Sequence, residues 1–284
     1  MNRRQTLLGG AAMFALAACR GEAAPRRGDE RVVVAGGPIT EIAFAIGAGE
    51  AIVGADTSSV FPAETSALPK VGYQRQLASE GVLSLSPTML LASDEAGPPE
   101  ALDQIRGAGV RVVTIGSPKE ASAIPTRVLA VGDALARAEE AQSLASKLEQ
   151  SIAALERKAA SRTTRPRVLL LYARGHGSML VGGRRTAAEI VLSLAGCTNA
   201  ASDLEGFVPL TPEAALAARP EIVLAPQMGL ESLGGAEALF ATPGLSETPA
   251  ARNRRVVAVD DLLLLGLGPR IAEAVEAVAS NVFA

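Results

Sequence analysis

Ser122–Ala160, SAIPTRVLAVGDALARAEEAQSLASKLEQSIAALERKAA, decides how the rest of the chain is read. Its apolar positions Val128, Val131, Leu135, Ala138, Leu144, Leu148, Ile152, Leu155 and Ala159 mostly fall three or four apart, the period of one helix face. Arg137, Glu139, Glu140, Lys147, Glu149, Glu156 and Lys158 fill the other face. Pro125 suits a first helical turn and Ser122 a cap. At about 1.5 Å per residue the helix would run about 50 Å, several times the usual length, which predicts a connector between two bodies. Gly132 is the point at which it would divide.

Working outward, related segments stand on either side. Before the helix comes Glu80-Gly-Val-Leu83-Ser-Leu-Ser-Pro87-Thr-Met89-Leu90-Leu91-Ala92, and after it Glu213-Ala-Ala-Leu216-Ala-Ala-Arg-Pro220-Glu-Ile222-Val223-Leu224-Ala225. Each has a Glu, a Leu three residues on, a Pro four further, then three large apolar residues and an Ala. The physical content is a short helix opened by a carboxylate, stopped near a proline and followed by a buried strand. Two copies of one plan predict two similar lobes.

Between and around these segments, strand and helix patterns alternate. Arg31–Ala35, Ala51–Gly54, Met89–Ala92 and Val110–Ile115 read as strands of the first half. Arg167–Leu171, Met179–Val181, Ile222–Ala225 and Arg255–Val259 read as strands of the second, and Pro269–Phe283 as a closing helix. The predicted fold class is α/β: two similar lobes with central parallel sheets flanked by helices, joined by one long backbone helix, with a ligand cleft between them. The expected boundaries are 31–121 for the first lobe, 122–162 for the connecting helix and 163–284 for the second lobe. Gly36-Gly37-Pro38 follows the first strand, but Pro38 stands where a dinucleotide fingerprint needs flexible backbone, and that reading is set aside.

The N-terminus carries a targeting pattern, with Arg3 and Arg4 ahead of an apolar run from Leu7 to Ala18. Leu16-Ala17-Ala18-Cys19 is similar to a lipobox, so residues 1–18 are expected to be a signal peptide, Cys19 the lipidation site and 19–30 a tether. Asn2–Leu8 also resembles a twin-arginine export signal. The apolar run is too short to span a bilayer. The expected location is periplasmic or cell-envelope, exported and lipid-anchored. With Cys19 lipidated, Cys197 has no cysteine to pair with and is expected to be a small buried residue. A net charge of −3 argues against nucleic acid as a partner, and 3% aromatic residues without Trp leave few rings for stacking.

Catalytic constellations are missing. His176 is the single histidine; Ser178 lies two residues away, but no nucleophile-elbow pattern surrounds it. One His and one free Cys do not make a usual zinc site. A cleft between two lobes, in an exported and tethered chain, fits ligand capture better than turnover, so the chain is read as no enzyme.

Gly72-Tyr73-Gln74-Arg75-Gln76-Leu77, followed by Glu80-Gly81, Leu83 and Pro87, resembles the haemin-binding proteins of bacterial ABC importers. These belong to a wider group with a helical backbone that also holds corrinoid and siderophore binders. The resemblance covers nearly all of the exported chain, and Gly182–Ala188 is similar to a second-lobe segment of the family. It implies that haem is the transported ligand, with Tyr73 on the iron and Arg75 as its partner. The chemistry is consistent: a phenolate is a hard anionic donor suited to ferric iron, and tyrosine is a known axial haem ligand. A free tyrosine keeps its proton to about pH 10, so iron and a neighbouring cation must favour the phenolate. In extended backbone, residues two apart share a side, which would place Tyr73 and Arg75 together.

His176, in a glycine-flanked turn of the second lobe, is a second candidate haem-binding residue. Tyr172 reads as core, and Arg184 and Arg185 as solvated cations that could meet propionates. The resemblance also implies that Glu80 and Glu213 dock one on each lobe to a permease dimer. Helix-dipole compensation is the plain alternative for each, but their matching places in the repeat favour docking. A corrinoid or ferric-siderophore binder of the same fold is one alternative, and a cell-envelope α/β enzyme another.

Overall fold

The computed structural model describes residues 30–173 and 179–284. Alternation of strand and helix patterns becomes alternation of elements. In chain order the first half holds β1 (Val32–Ala35), α1 (Gly37–Ala45), β2 (Ile52–Ala55), α2 (Ser79–Leu83), β3 (Met89–Ser93), α3 (Pro99–Gly107) and β4 (Arg111–Ile115). Helices α4 (Ala123–Ala134) and α5 (Ala138–Ala160) follow. The second half begins with β5 (Arg167–Tyr172), β6 (Leu180–Gly182), α6 (Ala187–Ala195), β7 (Thr198–Asn199), β8 (Phe207–Pro209), α7 (Pro212–Ala218) and β9 (Ile222–Pro226). It closes with α8 (Gln227–Ser232), α9 (Gly235–Phe240), α10 (Pro249–Arg252), β10 (Val256–Val259), α11 (Asp261–Gly266) and α12 (Ile271–Val282).

The first sheet is wholly parallel, in the order β2-β1-β3-β4. In the second, β7, β5, β9 and β10 repeat that order, again parallel. The repeated sequence segments occupy equivalent places: α2 leads into β3 and α7 into β9, and each of these strands pairs with the first strand of its sheet. The second sheet departs from the plan at one edge, where β6 and β8 add antiparallel beside the carboxyl end of β5.

Period-two alternation sorts the strand residues between two faces. Val33, Ala35, Leu90 and Ala92 join an outer cluster of the first lobe, while Leu169, Leu171 and Val223 join one of the second. The opposite faces, with Val32, Val34, Leu91, Val168, Leu170 and Leu224, belong to a single buried cluster. That cluster continues through α1, α4, α5, α6, α11 and α12, so the two lobes share one interior.

The single rod expected over 122–162 is two helices. Helix α4 ends in a Schellman turn: Arg137 N–H donates to Gly132 O at 2.8 Å and Ala136, at φ 52°, takes the left-handed position usually given to glycine. Gly132 lies inside α4 and serves close approach, since a Cβ there would stand 2.2 Å from the Ala141 Cβ of α5. Ser122 sits at the cap position but makes no side-chain capping bond. Helix α5, about 35 Å long at 23 residues, runs from the turn after α4 to just before β5 and buries Ala141, Ala145, Leu148, Ile152 and Ala159 along one stripe.

Two arginines cross the seam between the lobes in opposite directions. Arg270, just before α12, donates through Nε and Nη2 to both oxygens of Glu41 on α1, at 3.1 and 3.0 Å, and lies 3.6 Å from the Phe61 ring centroid. Arg127 of α4 donates to Gly266 O of α11 at 3.0 Å; it is 6% exposed and its Nε has no partner. Burial pushes the Arg127 guanidinium down to about 10, against the opposing pull of Asp94 and Glu95.

Candidate ligand-binding cleft

In parallel sheets, loops at the carboxyl ends of strands carry ligand sites. The first-lobe lip is built around Asp56, which follows β2 and is fully buried. Its Oδ1 accepts from Gly36 N–H at 3.0 Å and Ser59 Oγ at 2.8 Å. Its Oδ2 accepts from Ser58 N–H at 3.0 Å, Ser58 Oγ at 2.7 Å and Gln74 N–H at 3.2 Å. One carboxylate therefore ties together the loops after β1 and β2 and the turn that carries Tyr73. Gly72, at φ 94°, gives that turn a backbone conformation glycine adopts without strain.

Tyr73 is extended, but Gln74–Gln76 forms a 3-10 turn, so the expectation that residues 73 and 75 share a strand side is corrected. Arg75 turns instead to the neighbouring loop. Arg75 Nη2 donates to Glu95 Oε2 at 2.7 Å, with the two side chains about half exposed. Burial alone would lower the Arg75 guanidinium; the charge and hydrogen bond of Glu95 outweigh it and, with Tyr73 and Tyr172 adding, hold it above its ordinary value. The two loops are knit together: Ser93 Oγ donates to the buried Gln74 Oε1 at 2.7 Å, Gly97 N–H to Gln74 O at 2.9 Å and Leu77 N–H to Gly97 O at 2.7 Å.

Tyr172 ends β5 in the other lobe and is half-buried, with its ring tilted against Phe207 at 6.1 Å. It packs partly on the core, as expected, and it also lies within electrostatic reach of Arg75 across the seam. Both tyrosines of the chain therefore lie within electrostatic reach of one guanidinium. The continuous apolar run Val168–Leu171 concealed this, although the position of Tyr172 at the carboxyl end of a strand was a usable signal. Large exposed apolar side chains include Val60 and Phe61 in the loop after β2, Phe207 at the start of β8 against Tyr172, and Met228 in α8 just after β9.

Other predicted residues lie apart. Arg185 pairs with Glu205 at 3.5 Å, and the Arg184 backbone forms an isolated β-bridge beside it, at the edge of the second sheet, with the Arg184 side chain exposed. Cys197 is buried, and burial raises its thiol to about 11, which leaves it unreactive as expected. Glu80 and Glu213 are exposed in the first turns of α2 and α7. Thr211 caps α7 by accepting from Ala214 N–H at 3.1 Å, so Glu213 is not that helix's only device. Cys19 and His176 lie outside the described residues. A cavity of about 350 Å³ on the flank, lined by Lys119, Glu156, Arg165 and Glu189 among others, contains none of the predicted site residues.

Residues 32–262 match the family model of the periplasmic binding proteins. Among solved structures, the apo form of the periplasmic heme-binding protein RhuT from Roseiflexus sp. RS-1 is 44% identical, with a TM-score of 0.86, covering 90% of this chain and 98% of that one. The periplasmic heme-binding protein BhuT in complex with two hemes is 41% identical, with a TM-score of 0.82 and coverage of 89% and 97%. Among curated proteins, an uncharacterized ABC transporter substrate-binding lipoprotein of Bacillus subtilis, YvrC, is 27% identical over 86% of this chain and 77% of its own. The vitamin B12-binding protein of Pectobacterium atrosepticum is 24% identical over 89% and 88%.

Proposed function

Because the chain belongs to the periplasmic binding protein family, a family of binding proteins rather than enzymes, we propose that it captures haem between its lobes and delivers it to an ABC-type importer. The observation that carries this reading is the Arg75–Glu95 pair at the Tyr73 turn, which sets a guanidinium within electrostatic reach of a tyrosine from each lobe. It is supported by identities of 44% and 41% to two heme-binding proteins.

The donor set fits the cargo. Tyr73 supplies the hard oxygen that ferric iron takes as phenolate. Arg75 stands beside it as a cation for the phenolate or a propionate. Val60, Phe61, Phe207 and Met228 offer apolar and polarizable surface for a porphyrin rim, and the Tyr172 ring supplies an aromatic wall in the second lobe. His176 remains a second-lobe candidate for the iron. Arg185, paired with Glu205, is left out of the site.

Glu80 and Glu213, on equivalent helices of the two lobes, are the proposed contacts to the two subunits of a permease dimer. Two exposed charges set orientation more than affinity. Lipidation at Cys19 would hold the protein at the membrane outside the cytoplasm, within reach of that permease. A corrinoid is the second reading, favoured by the vitamin B12-binding relative; its 24% identity and the cleft tyrosines both rank it below haem.

Absorbance titration with hemin, alongside cobalamin and a ferric chelate, tests the cargo. Hemin should bind with a phenolate-to-iron charge-transfer band that Tyr73→Ala abolishes while the fold persists. An unchanged band in that variant refutes the ligand assignment. Charge reversal at Glu80 and Glu213 should abolish uptake and leave hemin binding intact; normal uptake in that variant refutes docking.

A further inference from the structure

Glu95 is absorbed by none of the roles above, yet it makes the shortest charged contact at the cleft, 2.7 Å from Arg75 Nη2. The contact is built in rather than incidental. Arg75 and Glu95 sit on loops joined by two backbone hydrogen bonds and by the buried Gln74–Ser93 bond, and Glu95 N–H also donates to Ser93 Oγ at 3.3 Å. Among the described residues, the charged and titratable groups facing Arg75 are Glu95, Tyr73 and Tyr172, and those facing Glu95 are Arg75 and Arg127. Arg127 is buried and bonded to Gly266 O, so Arg75 is the partner that can exchange.

We propose that Glu95 is a positioning residue that holds Arg75 by direct ion pairing and competes with the anionic groups of the cargo for it, so that the cleft keeps a releasable grip. The proposal rests on the haem reading above. An exposed pair of this kind gains little, so an entering propionate, or the Tyr73 phenolate once it meets the iron, can displace the carboxylate at small cost. Removing the carboxylate leaves the guanidinium uncommitted and free to make a charge-assisted bond to the cargo. A carrier that must hand its cargo on gains from such a competitor.

The test is a double-mutant cycle on the full exported chain, read by hemin titration and by the rate of hemin transfer to excess apomyoglobin. Glu95→Gln should tighten hemin binding about two- to fivefold, the range an exposed ion pair supplies, and slow transfer by a similar factor. In an Arg75→Ala background the same substitution should change neither quantity. Weaker or unchanged binding in Glu95→Gln overturns the proposal, as does equal tightening with Arg75 absent, which would mean that Glu95 acts on the cargo directly. Wild-type protein that binds no hemin overturns the haem reading and this proposal together. Wild type that binds with the Tyr73 band, beside a Glu95→Gln variant that behaves identically, overturns this proposal alone.

Discussion

Glu41→Ala tests whether the seam between the lobes is held by charge. Glu41 is 4% exposed and accepts both Nε and Nη2 of Arg270 at about 3 Å, 229 residues away. Deleting one member of a buried, bidentate pair leaves the other charge desolvated, at a cost of about 3–5 kcal/mol. Phe61 offsets a small part, since its ring face already lies against the guanidinium. Urea unfolding followed by circular dichroism should therefore show a large fall in midpoint for Glu41→Ala and for Arg270→Ala. Changing both residues to methionine should cost far less than the two single losses combined, because both charges leave together. A loss below about 1 kcal/mol in Glu41→Ala, the worth of an exposed pair, would refute the reasoning.

Three further predictions follow from the same geometry. Asp56→Ala strips five donors of their acceptor at the cleft lip and should cost about 3 kcal/mol or more in denaturant unfolding, with hemin affinity falling alongside. Gly132→Ala forces α4 and α5 apart and should cost about 1–3 kcal/mol, although alanine is the better helix former; a stabilised variant would contradict the packing. Arg127→Met should be neutral or stabilising near pH 8, because an incompletely bonded buried cation is replaced by an apolar side chain of similar length. Burial holds the Arg127 guanidinium down to about 10, below its ordinary value, so its burial cost is fully felt at lower pH and declines as pH rises past that point. Stability of the wild type relative to Arg127→Met should accordingly improve from pH 8 to pH 11; a constant difference would refute that assignment.

Much of the fold is legible in the sequence because its punctuation is local. Strand residues alternate between two interiors, and Glu80 with Pro87 and Glu213 with Pro220 bracket equivalent short helices. The division of the connector was harder to place, since Ala136 rather than a glycine takes the left-handed turn. Gly132 drew attention for flexibility, whereas its role is contact. The antiparallel additions β6 and β8 were half missed: β6 was legible, but Phe207–Pro209 is too short and too exposed to signal a strand. At the cleft, the Tyr73 turn stood out as a motif. Glu95, Asp56 and Arg270 did not, because each acts on a partner at least eighteen residues away and no periodicity encodes such pairings.

The interior common to both halves limits how cargo can leave. Swinging the halves open as a hinged jaw would bare Leu91, Ile124, Leu148, Leu192 and Val275 to water, at about 25 cal/mol for each Å² exposed. Yielding at the Arg75–Glu95 contact of the lip is cheaper, for there both side chains are about half exposed. Unloading then becomes a matter of a docked transporter prising loose a few loops, and the body of the carrier can serve as a stiff handle against which that force is applied.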